Sequence, residues 1–228
     1  MKRAIWIPIV LIVALLTACG AQTSATRLDS LSQNEEPVDA GNILIVYFSL
    51  GDNYESPAEL DAVTSASIQL WEGEVTGNAG IIARTIRSKL GGELFSILTE
   101  KKYPGGESEI LSVGRAEQIA NERPELVSEI EGFDEYDAVF LIYPTWWYKM
   151  PMALYNFFDA YDFSGKTLYV VNTSSGSRFV DEINTIKGLE PDATVIEGIS
   201  LLQGETDDAE EFITEWLDKL NLNVEPNT

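Results

Sequence analysis

The chain has no histidine and only one cysteine, Cys19, among its 228 residues. Histidine is the commonest general base and a frequent transition-metal ligand, so most catalytic triads and histidine-based zinc sites are excluded. One cysteine cannot form an internal disulfide or a site with several thiolate ligands. Acidic residues such as Asp52 and Asp159 have no paired spacing that suggests acid–base or metal chemistry, so the sequence predicts no catalytic side chain and no metal ligand.

Basic residues are scarce as well. Only 15 Lys and Arg residues stand against 37 Asp and Glu residues, which gives a formal net charge of −22. Binding to nucleic acid depends on concentrated Lys and Arg, so we expect no nucleic-acid partner. A strongly negative surface either steers a basic protein toward the chain or only keeps it soluble, and composition favours neither interpretation.

The chain has one long apolar run near its start, residues 4–16. The run follows two basic residues, contains Pro8 and is shorter than the roughly 20 apolar residues of a membrane-spanning helix. This pattern predicts an export signal over residues 1–18. Cys19 stands where the lipobox of bacterial lipoproteins places the lipidated residue, and this resemblance implies a lipid anchor on the extracytoplasmic face of the cell membrane. The alternative is an ordinary signal sequence with an unmodified thiol.

The rest of the chain divides by composition into a tether, one domain and a short tail. Residues 19–41 are polar with almost no apolar pattern, which predicts a flexible tether. The folded domain is predicted over residues 42–222, and residues 223–228 are expected to be loose. The length suits a single domain with extensions.

Within the predicted domain, apolar runs alternate with segments of helical periodicity. Residues 43–48, 138–143 and 168–171 have no polar face, as expected of parallel strands covered on both sides. Residues 93–98 and 193–201 are weaker strand candidates. This alternation predicts a doubly wound α/β sheet, which binds ligands outside the carboxyl ends of its strands, where the strand order reverses.

Two polar or aromatic segments near the ends of predicted strands suggest what that ligand is. The first combines hydroxyl groups and a glycine at the entrance to a helix, a pattern that favours a phosphate: Ser49, Thr76, Gly77, Asn78 and Ala79. The second offers flat aromatic surface to a ring: Pro144, Thr145, Trp146 and Trp147. The alternatives for the two tryptophans are that they cap the core or contact lipid.

A third loop follows the next strand, with the residues Thr173, Ser174, Ser175, Gly176 and Ser177. Taken alone it is also typical of a plain turn. With these motifs in this order, and with Ser164-Gly165-Lys166 between them, residues 43–217 resemble flavodoxins, in particular the flavodoxin-like family that carries a Pro-x-Trp-Trp loop. The resemblance implies a five-stranded parallel sheet of order 2-1-3-4-5 with helices on both faces, and FMN at the point where the order reverses.

The resemblance also implies a role for each motif. The hydroxyl-rich segment with Ser49 and residues 76–79 would hold the phosphate of FMN, residues 144–148 would lie against the isoalloxazine ring, and residues 173–177 would bind its pyrimidine edge. A stacked aromatic ring and a negative protein charge would both lower the flavin's reduction potential. The cofactor would then supply the chemistry, and the protein would position it.

The sequence departs from the family pattern in two places. Residues 50–75 separate Ser49 from Thr76, where a simple flavodoxin has only a few residues. Either Gly51, Asp52 and Asn53 complete the phosphate site, or the insertion folds over it as a lid, or it is a surface excursion. The second departure is Tyr148, which replaces a glycine found in many relatives. In those relatives the glycine permits a peptide flip that places a hydrogen bond on N5 of the reduced flavin. A bulky residue pays about 1 kcal/mol or more for the positive φ that this flip needs, so we expect flavin chemistry in two-electron steps.

Together these features predict a membrane-tethered, FMN-binding flavodoxin-like protein that transfers reducing equivalents, with a basic redox protein as its partner. One alternative is an FMN-dependent NAD(P)H or quinone oxidoreductase. Another is a flavin-free extracytoplasmic binding module, because fold does not fix function.

Overall fold

The structure is a computed structural model that describes residues 37–55 and 68–223. The predicted signal (1–18), Cys19, most of the predicted tether and the final residues lie outside the described residues. Strand β1 (Val38–Asp39) pairs in parallel with β9 (Leu222–Asn223), so regular pairing reaches slightly beyond residues 42 and 222 at both ends. The helices of the described part are all too short or too polar to cross a membrane.

A five-stranded parallel sheet forms the centre of the fold. Its strands are β2 (Ile43–Tyr47), β5 (Glu93–Ser96), β6 (Ala138–Pro144), β7 (Thr167–Ser174) and β8 (Thr194–Leu202). They lie in the order β5-β2-β6-β7-β8, which is 2-1-3-4-5 when only these strands are counted. The predicted fold class and strand order are therefore confirmed.

The degree of burial explains why some strands have a clear apolar pattern in the sequence and others a weak one. Strand β2 is buried along its whole length, with Leu44 and Val46 in one core cluster and Ile45 and Tyr47 in the other. The weaker candidates became β5 and β8, the two edges of the sheet, where the strands are only partly buried. An edge strand needs less apolar surface, so its sequence pattern is fainter.

Helices cover both faces of the sheet. Helices α2 (Asn78–Leu90) and α6 (Ala209–Leu220) pack on one face, whereas α3 (Glu107–Ala120), α4 (Met152–Ala160) and α5 (Glu182–Leu189) pack on the other. Two short 3₁₀ helices, Phe133–Glu135 and Gln203–Asp208, complete the described part. The loops at the carboxyl ends of the central strands are thereby held between two helical layers.

The insertion after β2 contains regular structure. It begins with the short helix α1 (Leu50–Asn53) and ends in an antiparallel hairpin of β3 (Ile68–Trp71) and β4 (Glu74–Gly77). Thr76 and Gly77 therefore end a strand instead of forming a loop directly after β2, and α2 starts immediately behind them. Residues 56–67 lie outside the described residues, so the lid stays a prediction.

Candidate functional site

A cavity of about 600 Å³ opens at the carboxyl ends of the central strands, within the size range of small-molecule sites. It lies where the strand order reverses between β2 and β6. Its walls come from the loops after β2, β6 and β7 and from α3, and the lining residues are Leu50, Asn78, Glu107, Ile110, Leu111, Pro144, Thr145, Trp146, Trp147, Tyr148, Thr173, Ser174, Ser175, Gly176, Ser177 and Gln203.

Most of the residues selected from the sequence are brought together at this cavity. The residues predicted to face a ring line it completely, namely 144–148 and 173–177, which we call the ring loops. Of the predicted phosphate segment only Asn78 lines it. Ser49, Thr76, Gly77 and Ala79 are buried behind the wall. The sequence missed Leu50, Gln203 and the three residues of α3, because a helix far along the chain carries no local motif for such a role.

The first ring loop is a tight turn with unusual backbone geometry. Trp146 N–H donates to the Lys149 carbonyl at 2.8 Å, and Lys149 N–H donates back to the Trp146 carbonyl at 3.0 Å. The two residues between them, Trp147 and Tyr148, have φ values of 50° and 63°. Turns with two positive φ values favour Asn and Gly, so two aromatic residues there store strain of about 1 kcal/mol or more each. Strained backbone conformations of this kind are common at functional sites.

Trp146 forms the inner wall of the cavity and also packs on the core. Its ring meets Tyr103 edge-on at 5.0 Å and Phe48 edge-on at 5.5 Å between centroids. A Cβ on Gly114 of α3 would lie 3.2 Å from the Trp146 ring, a tight contact that would require the ring to shift by a few tenths of an ångström. Gln118 fixes the backbone by donating its side-chain amide to the Trp146 carbonyl at 2.7 Å.

Trp147 forms an exposed outer wall. Its side chain is tied down at one point, since Nε1 donates to the Leu111 carbonyl at 2.8 Å, and the Arg115 guanidinium lies 5.5 Å from its ring centroid. Trp147 and Tyr148 remain 39% and 65% exposed. The two tryptophans thus differ: Trp146 combines the core-capping and cavity-lining roles, and Trp147 offers an open aromatic face at the cavity mouth.

A buried carboxylate holds the loop after β6 to the start of α5. Glu182 is 2% exposed and accepts hydrogen bonds from the Thr145 hydroxyl at 2.9 Å, Val180 N–H at 2.6 Å and Asp181 N–H at 3.0 Å. The Asn172 amide donates to the same Thr145 hydroxyl at 2.7 Å. Three donors compensate the desolvation of one carboxylate, so Glu182 positions Thr145 in the cavity wall. The sequence around Glu182 contains no motif that predicts this positioning role.

The second ring loop is anchored in a similar way. Thr145 N–H donates to the Thr173 carbonyl at 2.7 Å, which joins the two ring loops directly. The Ser174 hydroxyl accepts from Arg178 N–H at 2.8 Å. The Arg178 guanidinium forms an ion pair with Glu205 at 2.9 Å and also donates to the Ser200 carbonyl. The positive charge of Arg178 is therefore paired with Glu205, and Arg178 does not line the cavity.

In the predicted phosphate segment, Thr76 belongs to a group of hydrogen-bonded side chains. We call this group the Asp52 cluster, and its members are Tyr47, Asp52, Thr76 and Arg84. The Thr76 hydroxyl donates to Asp52 Oδ2 at 2.9 Å, and the Tyr47 hydroxyl donates to Asp52 Oδ1 at 3.1 Å. Arg84 Nη1 donates to the Thr76 hydroxyl at 3.1 Å and to the Tyr47 hydroxyl at 3.2 Å. Burial, followed by the Asp52 carboxylate, raises the pKa of Tyr47, so this hydroxyl stays protonated. Ser49 serves as the N-cap of α1, accepting from Gly51 N–H at 3.1 Å.

A second buried acid lies behind the inner wall. Glu117 of α3 accepts a hydrogen bond from the Tyr103 hydroxyl at 3.3 Å, and the Tyr103 ring packs on Trp146. Burial raises the pKa of Glu117 to about 7, while the Tyr103 hydrogen bond opposes that shift. Burial also raises the pKa of Tyr103. Glu117 therefore carries a proton at pH values where an exposed glutamate does not.

The cavity wall carries little charge. Among the described lining residues Glu107 is the only charged one, and Lys and Arg are absent from that set. The described part of the chain also contains no group of three or more acidic, cysteine or histidine residues placed to hold a metal ion. The cavity thus suits a flat, largely uncharged ring with hydrogen-bonding edges.

Comparison with known proteins agrees with this geometry. Residues 111–220 match the family model described as flavodoxin. A search of curated proteins gave no match. A solved structure from Bacteroides eggerthii, provisionally assigned as a flavoprotein, is similar with 26% identity and a TM-score of 0.58, over 80% of this chain and 99% of that chain.

Two further solved structures share the fold at lower identity. One, from Bacteroides uniformis and also provisionally assigned as a flavoprotein, has 20% identity and a TM-score of 0.55, over 77% of this chain and 99% of that one. The other is a flavoprotein in complex with FMN from Lactobacillus acidophilus, with 16% identity and a TM-score of 0.52, over 74% of this chain and 98% of that one. The strand order, the matched residues and these structures confirm the resemblance predicted from the sequence: the chain has a flavodoxin-like fold.

Proposed function

We propose that this chain is a membrane-tethered electron-transfer protein that binds FMN in the cavity between the ring loops. The observation that carries the proposal is the convergence of the two loops: an aromatic turn on one side and a hydroxyl-rich loop on the other, joined by the hydrogen bond from Thr145 to Thr173. The similarity to a flavoprotein in complex with FMN supports it further.

The lining residues fit the ring part of a flavin. Trp147 and Tyr148 would cover one face of the ring, and Trp146 would limit its depth. The hydroxyl and backbone groups of residues 173–177 would bind its polar edge. Thr145, which is bonded to Glu182, Asn172 and Thr173, would hold the two ring loops together. The thirteen-residue helix α2 begins at Asn78, and its N-terminus favours an anion at that end of the cavity.

FMN, when bound, would supply reversible uptake of electrons, and the chain would tune it. Buried Glu182 and the formal net charge of −22 would oppose added negative charge on the ring, which lowers its reduction potential. The same net charge would favour a basic redox protein as partner. We keep the expectation that stepwise reduction converts one flavin spectrum directly into another, and a long-wavelength band between them would contradict two-electron chemistry. Tyr148 already has a φ of 63°, so its backbone conformation gives this expectation no added support.

The direct test is a fluorescence titration of FMN with the full-length protein in mild detergent. Binding with quenched flavin fluorescence is expected. Trp147→Ala should weaken binding. Phe212→Ala on α6 is the matched control, because Phe212 is an aromatic residue of similar exposure that does not line the cavity, and it should leave binding unchanged. If FMN, FAD and riboflavin all fail to bind, the flavin-free module becomes the better proposal. Steady oxidation of NAD(P)H with a quinone would instead favour the oxidoreductase.

The tether is a separate part of the proposal. Cys19 is proposed to carry a lipid, and residues 19–41 to link it to the domain. Replacement Cys19→Ser should move the protein from the membrane fraction to the soluble fraction and abolish labelling by a fatty acid. Retention in the membrane would overturn the lipid anchor without affecting the flavin site.

A further inference from the structure

The hydrogens that a phosphate would need are already used within the Asp52 cluster. A hydroxyl donates only one hydrogen. Thr76 donates its hydrogen to Asp52 Oδ2 and Tyr47 donates its hydrogen to Asp52 Oδ1. A phosphate dianion accepts hydrogen bonds and cannot donate, so it would have to displace the carboxylate to use either hydroxyl. In this arrangement the Asp52 carboxylate is itself the bound anion.

Thr76 is closely packed where it meets Asp52. The residue is fully buried, and two glycines lie against it. A Cβ at Gly51 would lie 2.0 Å from the Thr76 carbonyl oxygen, and a Cβ at Gly80 would lie 1.9 Å from its hydroxyl oxygen. Because both contacts are far below van der Waals distance, only glycines allow this packing. The Thr76 hydroxyl therefore lies in a closely packed place and donates its hydrogen to Asp52 there.

The charges around Asp52 complete the internal anion site. Arg84 reaches the carboxylate indirectly, by donating to the two hydroxyls that Asp52 binds. Lys102 Nζ donates to the Asp52 main-chain carbonyl at 3.2 Å. These cations lie near Asp52, while the only charged residue among the described cavity-lining residues is Glu107. The charge of Asp52 is thus balanced inside the protein, and of the predicted phosphate segment only Asn78, at the start of α2, faces the cavity.

We propose that Asp52 is a specificity-determining residue that suppresses recognition of the ligand's phosphate, so that the cavity binds riboflavin nearly as tightly as FMN. The proposal rests on the flavin site proposed above and adds which part of the flavin the site recognises. Affinity then comes from the isoalloxazine ring in the ring loops, and the terminal phosphate adds little.

The test is to measure dissociation constants for FMN and for riboflavin with the full-length protein and three variants. In the wild type the riboflavin value should exceed the FMN value by less than about tenfold, a factor worth about 1.4 kcal/mol. Asp52→Asn keeps the size and an acceptor oxygen but removes the charge. We expect it to tighten FMN binding by about tenfold, because charge-assisted bonds to phosphate become available, and to change riboflavin binding by less than about twofold.

Two further variants separate this effect from general ones. Asp218→Asn, in the last turn of α6, removes an exposed carboxylate remote from the cavity and should leave both affinities unchanged. Thr76→Val combined with Asp52→Asn should cancel the gain for FMN, since it removes the hydroxyl that was released.

Some results would overturn the role of Asp52, and others would overturn the flavin site itself. A wild-type preference for FMN above about tenfold, or an Asp52→Asn variant whose preference for FMN does not rise, overturns the role of Asp52. The wild-type ratio needs no variant and therefore decides the matter even if Asp52→Asn folds poorly. Failure of both flavins to bind the wild type and Asp52→Asn would instead overturn the proposed function.

Discussion

The ring loops line the cavity, whereas no member of the Asp52 cluster does, and the two are built in opposite ways. In the ring loops, polar and aromatic groups face the cavity, and the strain of a turn with two positive φ values is retained beside it. In the Asp52 cluster, the hydroxyls bind a carboxylate of the same chain and are buried. Polar groups that face a cavity are available to a ligand. Buried groups that are hydrogen-bonded to one another instead hold the surrounding backbone in place.

The largest expected effect tests whether the two tryptophans of the ring loops have separate roles. Trp146→Ala should lower the free energy of unfolding by about 3 kcal/mol, because it removes the contacts with Phe48 and Tyr103 and leaves a void. The matched variant Trp147→Ala removes a more exposed ring and should cost less than about 1 kcal/mol. Urea denaturation followed by circular dichroism measures both. Equal losses would mean that the ring loops have no division between core and cavity wall.

The next effect tests the rigidity of the Asp52 cluster. Gly80→Ala should destabilise the protein by about 2 kcal/mol, because the new Cβ would collide with the Thr76 hydroxyl oxygen. Gly188→Ala in α5 is the control, since nothing lies within 4 Å of its new Cβ. There the better helix propensity of alanine should stabilise by about 0.5 to 1 kcal/mol. Stabilisation by both substitutions would show that Thr76 has room to move.

A third prediction concerns the strain in the first ring loop. Tyr148→Gly should stabilise the protein by about 1 kcal/mol, because glycine adopts φ of 63° without a steric penalty. Tyr148→Ala keeps the Cβ and loses the ring, so it should show no such gain. Thermal unfolding of the two variants separates release of strain from loss of the aromatic side chain. Equal stabilities would contradict a strained turn.

The smallest expected effect is a pH dependence of the inner wall. Glu117 has its folded pKa raised to about 7 by burial, so between roughly pH 4.5 and 7 the folded state binds more protons at this group than the unfolded state. Its contribution to stability is therefore greatest below about pH 4.5 and is lost as the pH rises toward 7. Glu117→Gln should remove this slope and be more stable than the wild type at pH 8, by about 1 kcal/mol after allowance for solvent screening.

The check is denaturation of the wild type and Glu117→Gln at pH 5, 6, 7 and 8. The difference between the two proteins should grow from pH 5 to 7 and level off toward pH 8. A constant difference across the series would mean that Glu117 titrates like an exposed carboxyl group and does not couple Tyr103 and Trp146 to pH.

The sequence predicted the sheet better than it predicted the site. Strands such as β2 and β6 are buried on both faces, so a continuous apolar run identifies them directly. The ring loops follow such strands, which put them at the same edge of the sheet. Thr76 was placed less well, because the hairpin that ends with it pairs strands β3 and β4 within the insertion and no pattern around Ser49 announces that pairing.

The sequence alone determined the α/β alternation, the strand order through its family resemblance, and the two ring loops, because each depends on residues that are neighbours in the chain. Only the tertiary structure decided which hydroxyls face the cavity. Thr76 meets Asp52 across 24 positions of sequence, and Thr145 meets Glu182 across 37. Hydrogen bonds of that range are fixed by how the strands and helices pack, so the same residue types that suggest a phosphate loop became an internal cluster.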